Sequence, residues 1–190
     1  MKLFKQNYQQ QTDEELMGLI ITKSNEKAFE ELYNRYYKKL LWFCMRIVGN
    51  KEQSEDIIQD TFIKIIDKPE AFNSNQKFST WIYTIVNNAS LNVLSKETNR
   101  DKLMSQNYVQ IDFTHLNLNI DAKLIQQKIN AIYKELNEKE QAVFVLRFEQ
   151  ELSIKEIAKI IQIPEGTVKS CLYNLLKKMA HQLKAFQLTN

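Results

Sequence analysis

A chain of 190 residues, 44% of them hydrophobic, has room for one large domain or two small ones and enough apolar mass for a core, so disorder is not its default state. Three Gly and two Pro are too few for a sandwich or barrel built on tight turns, and they suit a nearly all-helical chain. The net charge of +3 is too mild to mark a nucleic-acid binder by itself, but it is unevenly spread. Residues 51–72 carry Lys51, Lys64 and Lys68 against Glu52, Glu55, Asp56, Asp60, Asp67 and Glu70. Residues 152–190 carry Lys155, Lys159, Lys169, Lys177, Lys178 and Lys184 against Glu156 and Glu165. An acidic middle and a basic end imply two different partners.

Cys44 and Cys171 lie far apart, without paired or metal-ligand spacing, and read as reduced thiols of a cytoplasmic protein. The polar start of the chain does not read as a signal peptide, and no apolar run approaches the roughly 20 residues of a membrane span, so no membrane insertion is expected.

Helix starts are marked by Thr12 with Glu15, Asn50 with Gln53, Asn137 with Glu140 and Ser153 with Glu156, capping boxes or close variants in which a side chain satisfies first-turn amides. The periodicity predicts helices over 13–23, 26–48, 51–67, 80–97, 121–135, 138–149, 154–162 and 164–185. The second of these is amphipathic and runs through Tyr36, Leu40, Phe43 and Ile47, a generic core pattern. In the third, Ile58, Phe62, Ile65 and Ile66 form the buried stripe, and the far arc presents Asp56, Gln59, Asp60, Ile63 and Asp67. On chemistry alone that arc reads first as a solvated face, although an acidic surface with one apolar residue could also dock on a basic partner.

The fourth helix follows Ser79 as a plausible N-cap, and one arc of it carries Trp81, Thr84, Ile85, Asn88, Asn92 and Ser95. An aromatic at helical spacing is usually core, but aromatics beside hydrogen-bonding groups also hold single-stranded DNA, since every base offers a face for stacking. Around 98–120 the period fails in a stretch rich in Asn, Gln, Asp and Ser, read as a flexible linker; Leu103, Val109, Phe113 and Leu116 leave open that it docks on a domain face.

From Ser153 to Lys178 the pattern is that of a helix-turn-helix. Ile154, Ile157, Ala158, Ile161, Ile163, Val168 and Leu172 are its core positions, with small Ala158 ten residues before branched Val168 where the helices cross. Pro164 suits the first position of the second helix, which puts the turn near Gln162 and Ile163. That helix buries Val168, Leu172, Leu175, Met179 and Leu183, and its opposite arc carries Lys169, Ser170, Tyr173, Asn174, Lys177, His181 and Lys184 without an acid. Such a face suits the major groove, with lysines on phosphates and Ser or Asn at base edges.

The run Leu136–Phe148, with Leu152–Ala158 and Ile163–Ser170, resembles the promoter-binding C-terminal domain of extracytoplasmic-function RNA polymerase sigma factors, within the sigma-seventy superfamily. Residues Ser54–Ile66 are similar to the family's helix that grips the coiled coil of the polymerase's largest subunit, and Phe78–Asn88 to its promoter-melting helix. The resemblance implies an all-α fold of two small helical domains, 1–97 and 121–190, joined by the linker 98–120, with the helix-turn-helix in the second. It implies a sigma factor that binds core RNA polymerase and promoter DNA and catalyses nothing. Polymerase contact falls to Asp56, Gln59, Asp60 and Ile63, and the melted minus-ten element to Trp81, Thr84, Asn88, Asn92 and Lys96. The minus-thirty-five element falls to Lys155, Thr167, Lys169, Ser170, Tyr173, Asn174 and Lys177. An anti-sigma factor stays open as a further partner.

Asn87, Asn92 and Ser95 depart from the charged residues common in the melting helix, Cys171 stands where Arg is usual, and Gln162 where Gly is usual. A dimeric repressor is the rival reading. An enzyme is disfavoured, because His115 and His181 have no Cys, Asp or Ser constellation and no glycine-rich phosphate loop occurs; no cofactor or metal is expected.

Overall fold

The computed structural model describes residues 7–100 and 136–187, and the chain divides into two compact units, Met1–Met104 and Ser105–Asn190. Every described element is helical. The helix expected over 121–135, and the linker beyond residue 100, lie outside the described residues.

Unit 1 contains α1 (Asp13–Lys23), α2 (Glu26–Val48), α3 (Lys51–Asp67) and α4 (Phe78–Arg100), with short 3-10 turns at Tyr8–Gln10 and Pro69–Ala71. Thr12 caps α1 in a capping box with Glu15, and Asn50 caps α3 by accepting from Gln53 N–H at 3.0 Å. Asn25, which the sequence reading left unremarked, caps α2 by accepting from Ala28 N–H at 3.0 Å. The core is made by Leu32, Leu40 and Phe43 of α2, Ile58 and Ile65 of α3, and Phe78, Ile82, Tyr83 and Val86 of α4. Burying one such side chain is worth about 1.5–3 kcal/mol. At the crossing of α2 and α4 a small polar contact is buried, Cys44 Sγ lying 3.2 Å from Ser90 Oγ.

Arg35 fastens the amino-terminal turn to α2. Its Nη1 donates to the Gln11 carbonyl at 2.9 Å and to Asp13 Oδ1 at 2.8 Å, and its Nη2 to the carbonyls of Tyr8 and Gln9 at 3.1 Å each. Asp13 also accepts from the Tyr36 hydroxyl.

Three expectations shift in this unit. Helix α4 starts at Phe78, with the Lys77 carbonyl accepting from Trp81 N–H, so Ser79 lies inside the helix and is not its N-cap. At its other end α4 runs through Arg100, so positions 98–100, read as linker, are helical. Ile66 is 57% exposed and does not belong to the buried stripe. At about 100° per residue it falls about 80° round from Ile58, past Phe62, while Ile57 and Thr61 on the other side close the stripe.

Unit 2 contains α5 (Glu138–Phe144), a π-helical turn (Val145–Glu149), α6 (Ile154–Ile160) and α7 (Glu165–Gln187). Asn137 and Ser153 close capping boxes on α5 and α6. The helix expected over 138–149 widens to π at its end, with Gln150 N–H donating to the Val145 carbonyl at 3.1 Å. Val143, Phe144, Val145 and Leu146 are all buried, four consecutive residues that one α-helical face could not all turn inward. Glu140, nearly buried at the head of α5, takes Lys178 of α7 at 2.9 Å through Oε2 and 3.2 Å through Oε1, which ties α5 to α7.

Candidate polymerase and DNA interfaces

The acidic arc of α3 is assembled as its spacing implies. Asp56, Gln59, Asp60, Ile63 and Asp67 are all exposed, because the stripe formed by Ser54, Ile57, Ile58, Thr61, Phe62 and Ile65 faces the other helices. Ile63 is 52% exposed and Ile66 now joins it beside Gln59, so the face carries two branched apolar side chains among carboxylates. Sequence reasoning missed Ile66 by assigning it to the core.

On α4, Trp81, Thr84, Asn88 and Asn92 share one arc, and Lys96 is exposed one turn beyond Asn92. The Trp81 ring is half-buried, edge-on to Phe72 at 5.3 Å and tilted against Phe78 at 5.7 Å. Thr84 Oγ1 donates to the Thr80 carbonyl at 2.7 Å, so its proton is committed within the helix. Asn87 is only 4% exposed; it lies on the core side of α4, and its departure from a charged residue does not alter the outer surface.

Trp81, Ile85, Asn88, Ala89 and Asn92 form one wall of an open cleft, and Lys64, Lys68 and Ala71 form the other. Both lysines are exposed at the carboxyl end of α3. They were not among the residues singled out from the sequence, since nothing in the spacing of one helix reveals what packs beside another. The cleft joins an aromatic plate, amide groups able to donate and accept, and two cations, a combination suited to an unpaired nucleic-acid strand.

In unit 2 the helix-turn-helix is α6 and α7. Ile161 N–H donates to the Ile157 carbonyl at 3.0 Å, Gln162 adopts φ 56°, and Ile163 N–H returns to the Ala158 carbonyl at 3.1 Å, placing the turn where the sequence puts it. Pro164 sits one position earlier than expected. Its carbonyl receives Thr167 and Val168 N–H at 2.9 and 3.2 Å, so it occupies the capping position and Glu165 is the first helical residue. The core is made by Ile157, Ile160, Val168 and Leu175, whereas Ile154, Ala158, Ile161, Ile163 and Leu172 are half-buried. Ile160 replaces Ile161 in the core because α6 ends at Ile160 and the turn carries Ile161 outward.

Lys155, Thr167, Lys169, Ser170, Tyr173, Asn174 and Lys177 are all exposed, with Tyr173 at 68%. Ser170 Oγ donates to the Gly166 carbonyl at 2.9 Å, which leaves its oxygen to act as an acceptor only. Cys171 is half-buried on the flank, its thiol pushed up by burial and then by the Glu140 carboxylate, so it stays protonated near neutral pH and contributes no charge there. The side chains of Leu183, His181 and Lys184 lie outside the described residues. Among the described residues no helix is long and apolar enough to cross a membrane, and no three His, Cys, Asp or Glu are grouped to hold a metal.

Residues 32–100 match the family described as Sigma-70 region 2, and residues 126–179 match Sigma-70, region 4. The chain is 29% identical over 180 residues to the ECF RNA polymerase sigma factor SigW of Bacillus subtilis, covering 86% of this chain and 93% of that protein. It is 27% identical to the ECF RNA polymerase sigma-E factor of Haemophilus influenzae, over 93% of this chain and 97% of the other. In fold it is similar to the sigma factor RpoE of Bartonella quintana, solved in complex with the anti-sigma factor NepR, with a TM-score of 0.66, 19% identity, and 83% and 98% of the two chains covered.

Two helical units bearing these two regions in this order define a promoter-directed transcription initiation factor. The chain belongs to the sigma-70 family of RNA polymerase sigma factors, in its extracytoplasmic-function class. Its partners are core RNA polymerase and promoter DNA.

Proposed function

We propose a division of labour among the three exposed faces. The α3 arc of Asp56, Gln59, Asp60 and Ile63, extended by Ile66, docks on the coiled coil of the polymerase's largest subunit. The cleft between α3 and α4 holds the melted minus-ten strand, with Trp81 as stacking plate, Asn88 and Asn92 as hydrogen-bonding groups, and Lys64, Lys68 and Lys96 on phosphates. The α7 face reads the minus-thirty-five element, with Lys169 and Lys177 on the backbone, Tyr173 and Asn174 toward the bases, and Lys155, Thr167 and Ser170 at its edge. Residues 1–100 and 121–190 serve as the two functional domains, with 101–120 as their linker. The protein works in the cytoplasm, as a positioning factor without catalysis of its own. An anti-sigma factor such as the one held by the RpoE chain is a further partner in this reading.

The observation that carries it is the cleft, where Trp81, Asn88 and Asn92 meet Lys64 and Lys68 from another helix. Lysines beside a half-buried tryptophan are unnecessary for packing and well placed for a polyanion. The test uses the full chain with core polymerase on a promoter found by mapping transcription starts after overexpression. Trp81→Ala is expected to slow open-complex formation more than closed-complex binding, since losing a stacking aromatic costs about 1–3 kcal/mol per base. Normal permanganate reactivity of promoter thymines with a folded Trp81→Ala protein would remove the cleft from promoter melting.

A further inference from the structure

The first turn of α1 carries Asp13, Glu14 and Glu15, and each carboxylate has a different partner. Glu15 accepts from Thr12 N–H at 2.8 Å in the helix's own cap, and Asp13 is held by Arg35 and Tyr36 of α2. Glu14 reaches α4: its Oε1 accepts from Phe78 N–H at 2.8 Å, across 64 residues of sequence.

A helix start exposes amide N–H groups that need acceptors, and the partial positive charge there favours a carboxylate. At the cap of α4 stands Lys77, whose side chain only donates and so cannot accept from those amides. The carboxylate comes instead from α1, a helix outside the residues matched to Sigma-70 region 2. Phe78 is fully buried, its ring edge-on to Tyr36 at 5.2 Å and to Phe72 at 5.8 Å, and Trp81 leans on both Phe72 and Phe78. The backbone bond to Glu14 thus fixes the root of the aromatic cluster that sets the orientation of Trp81.

We propose that Glu14 is a positioning residue for promoter opening, capping the melting helix from the amino-terminal helix and thereby holding Trp81 in the cleft. This rests on the assignment of α4 to the melted strand. Glu14 touches no DNA; it acts through Phe78.

The test compares Glu14→Ala, Glu14→Ala with Lys77→Asn, and Trp81→Ala, each as full chain with core polymerase on the mapped promoter. Loss of a cap is expected to slow opening about fivefold in Glu14→Ala, with core binding unchanged. Lys77→Asn supplies a local acceptor for the Ser79 or Thr80 amide and is expected to restore most of the rate, or to refold the chain if Glu14→Ala alone unfolds it. Opening at the native rate in Glu14→Ala overturns the proposal, as does a slow rate or an unfolded chain that Lys77→Asn leaves unrepaired. A fall in core binding by the same factor as opening overturns it too, since that marks a general loss of unit 1. If Trp81→Ala opens normally, the assignment of α4 falls and the proposal with it; slow Trp81→Ala beside a normal Glu14→Ala sinks the proposal alone.

Discussion

At the turn of the helix-turn-helix, Gln162 holds φ 56°, in the left-handed region where an L side chain crowds its own backbone. The geometry is forced by the short link between Ile160 and Glu165, with Ile163 N–H folding back to Ala158. A glycine would relieve the crowding and would cost some unfolded-chain entropy. Gln162→Gly is therefore expected to stabilise unit 2 by about 1 kcal/mol, raising its melting temperature by roughly 4–8 °C. A thermal melt followed by circular dichroism checks this, and an unchanged or lower midpoint would mean that the Gln162 side chain repays its backbone strain through its own contacts. This position was legible before the fold was known, because the family resemblance puts Gly in the turn and Gln stands there instead. The one-residue displacement of Pro164 was not, since a proline suits the capping position and the first helical position equally well by its fixed φ.

The element proposed to meet polymerase is α3, where buried and exposed arcs are cleanly separated. Asp56 and Asp60 are exposed and lie off the core stripe, so reversing their charge leaves the packing of Ile58, Phe62 and Ile65 untouched. The doubly substituted chain Asp56→Lys/Asp60→Lys is expected to keep its circular dichroism spectrum and melting temperature within the small range of surface substitutions, about 0.5 kcal/mol. Its retention of core polymerase in pull-down should fall at least tenfold, because like charges brought together at an interface cost several kcal/mol. Undiminished pull-down would move the polymerase contact to another face. Elements such as α3 are readable from sequence when a cap fixes the start and a 3.6-residue period fixes the face; Asn50 and the run from Ser54 to Ile65 supply both. What sequence does not supply is adjacency. Lys64 and Lys68 become part of a cleft only when α4 lies alongside, and Glu14 becomes a cap only when α1 reaches Phe78. Ile66 shows a further limit: a branched apolar residue at the margin of a stripe has the same composition whether it fills a core or waits for a partner.

Over the whole molecule, charge is divided as the proposed labour is: an acidic face on α3 in unit 1, a cationic cleft beside it, and a face on α7 in unit 2 that among the described residues has lysines and no acid. A single small helix-turn-helix makes few contacts, so its affinity becomes useful only when polymerase holds both units at one promoter and the second contact is effectively intramolecular. The roles of α7 residues are therefore best separated in holoenzyme. Lys169 is exposed, with an ammonium suited to a phosphate, and a phosphate contact carries little sequence information. Lys169→Ala is expected to weaken binding to matched and scrambled upstream elements alike, and to flatten the salt dependence by about 0.9 log unit per log unit of salt. Asn174 is exposed on the same face, with an amide able to pair with a base edge. Asn174→Ala should cost about 1–3 kcal/mol on the matched element and little on the scrambled one, with the salt slope preserved. Filter binding of holoenzyme across a salt series, on promoters differing only upstream, measures both. Altered base preference in Lys169→Ala with a uniform loss in Asn174→Ala would mean that α7 enters the groove rotated, with the lysine at the bases and the asparagine on the backbone.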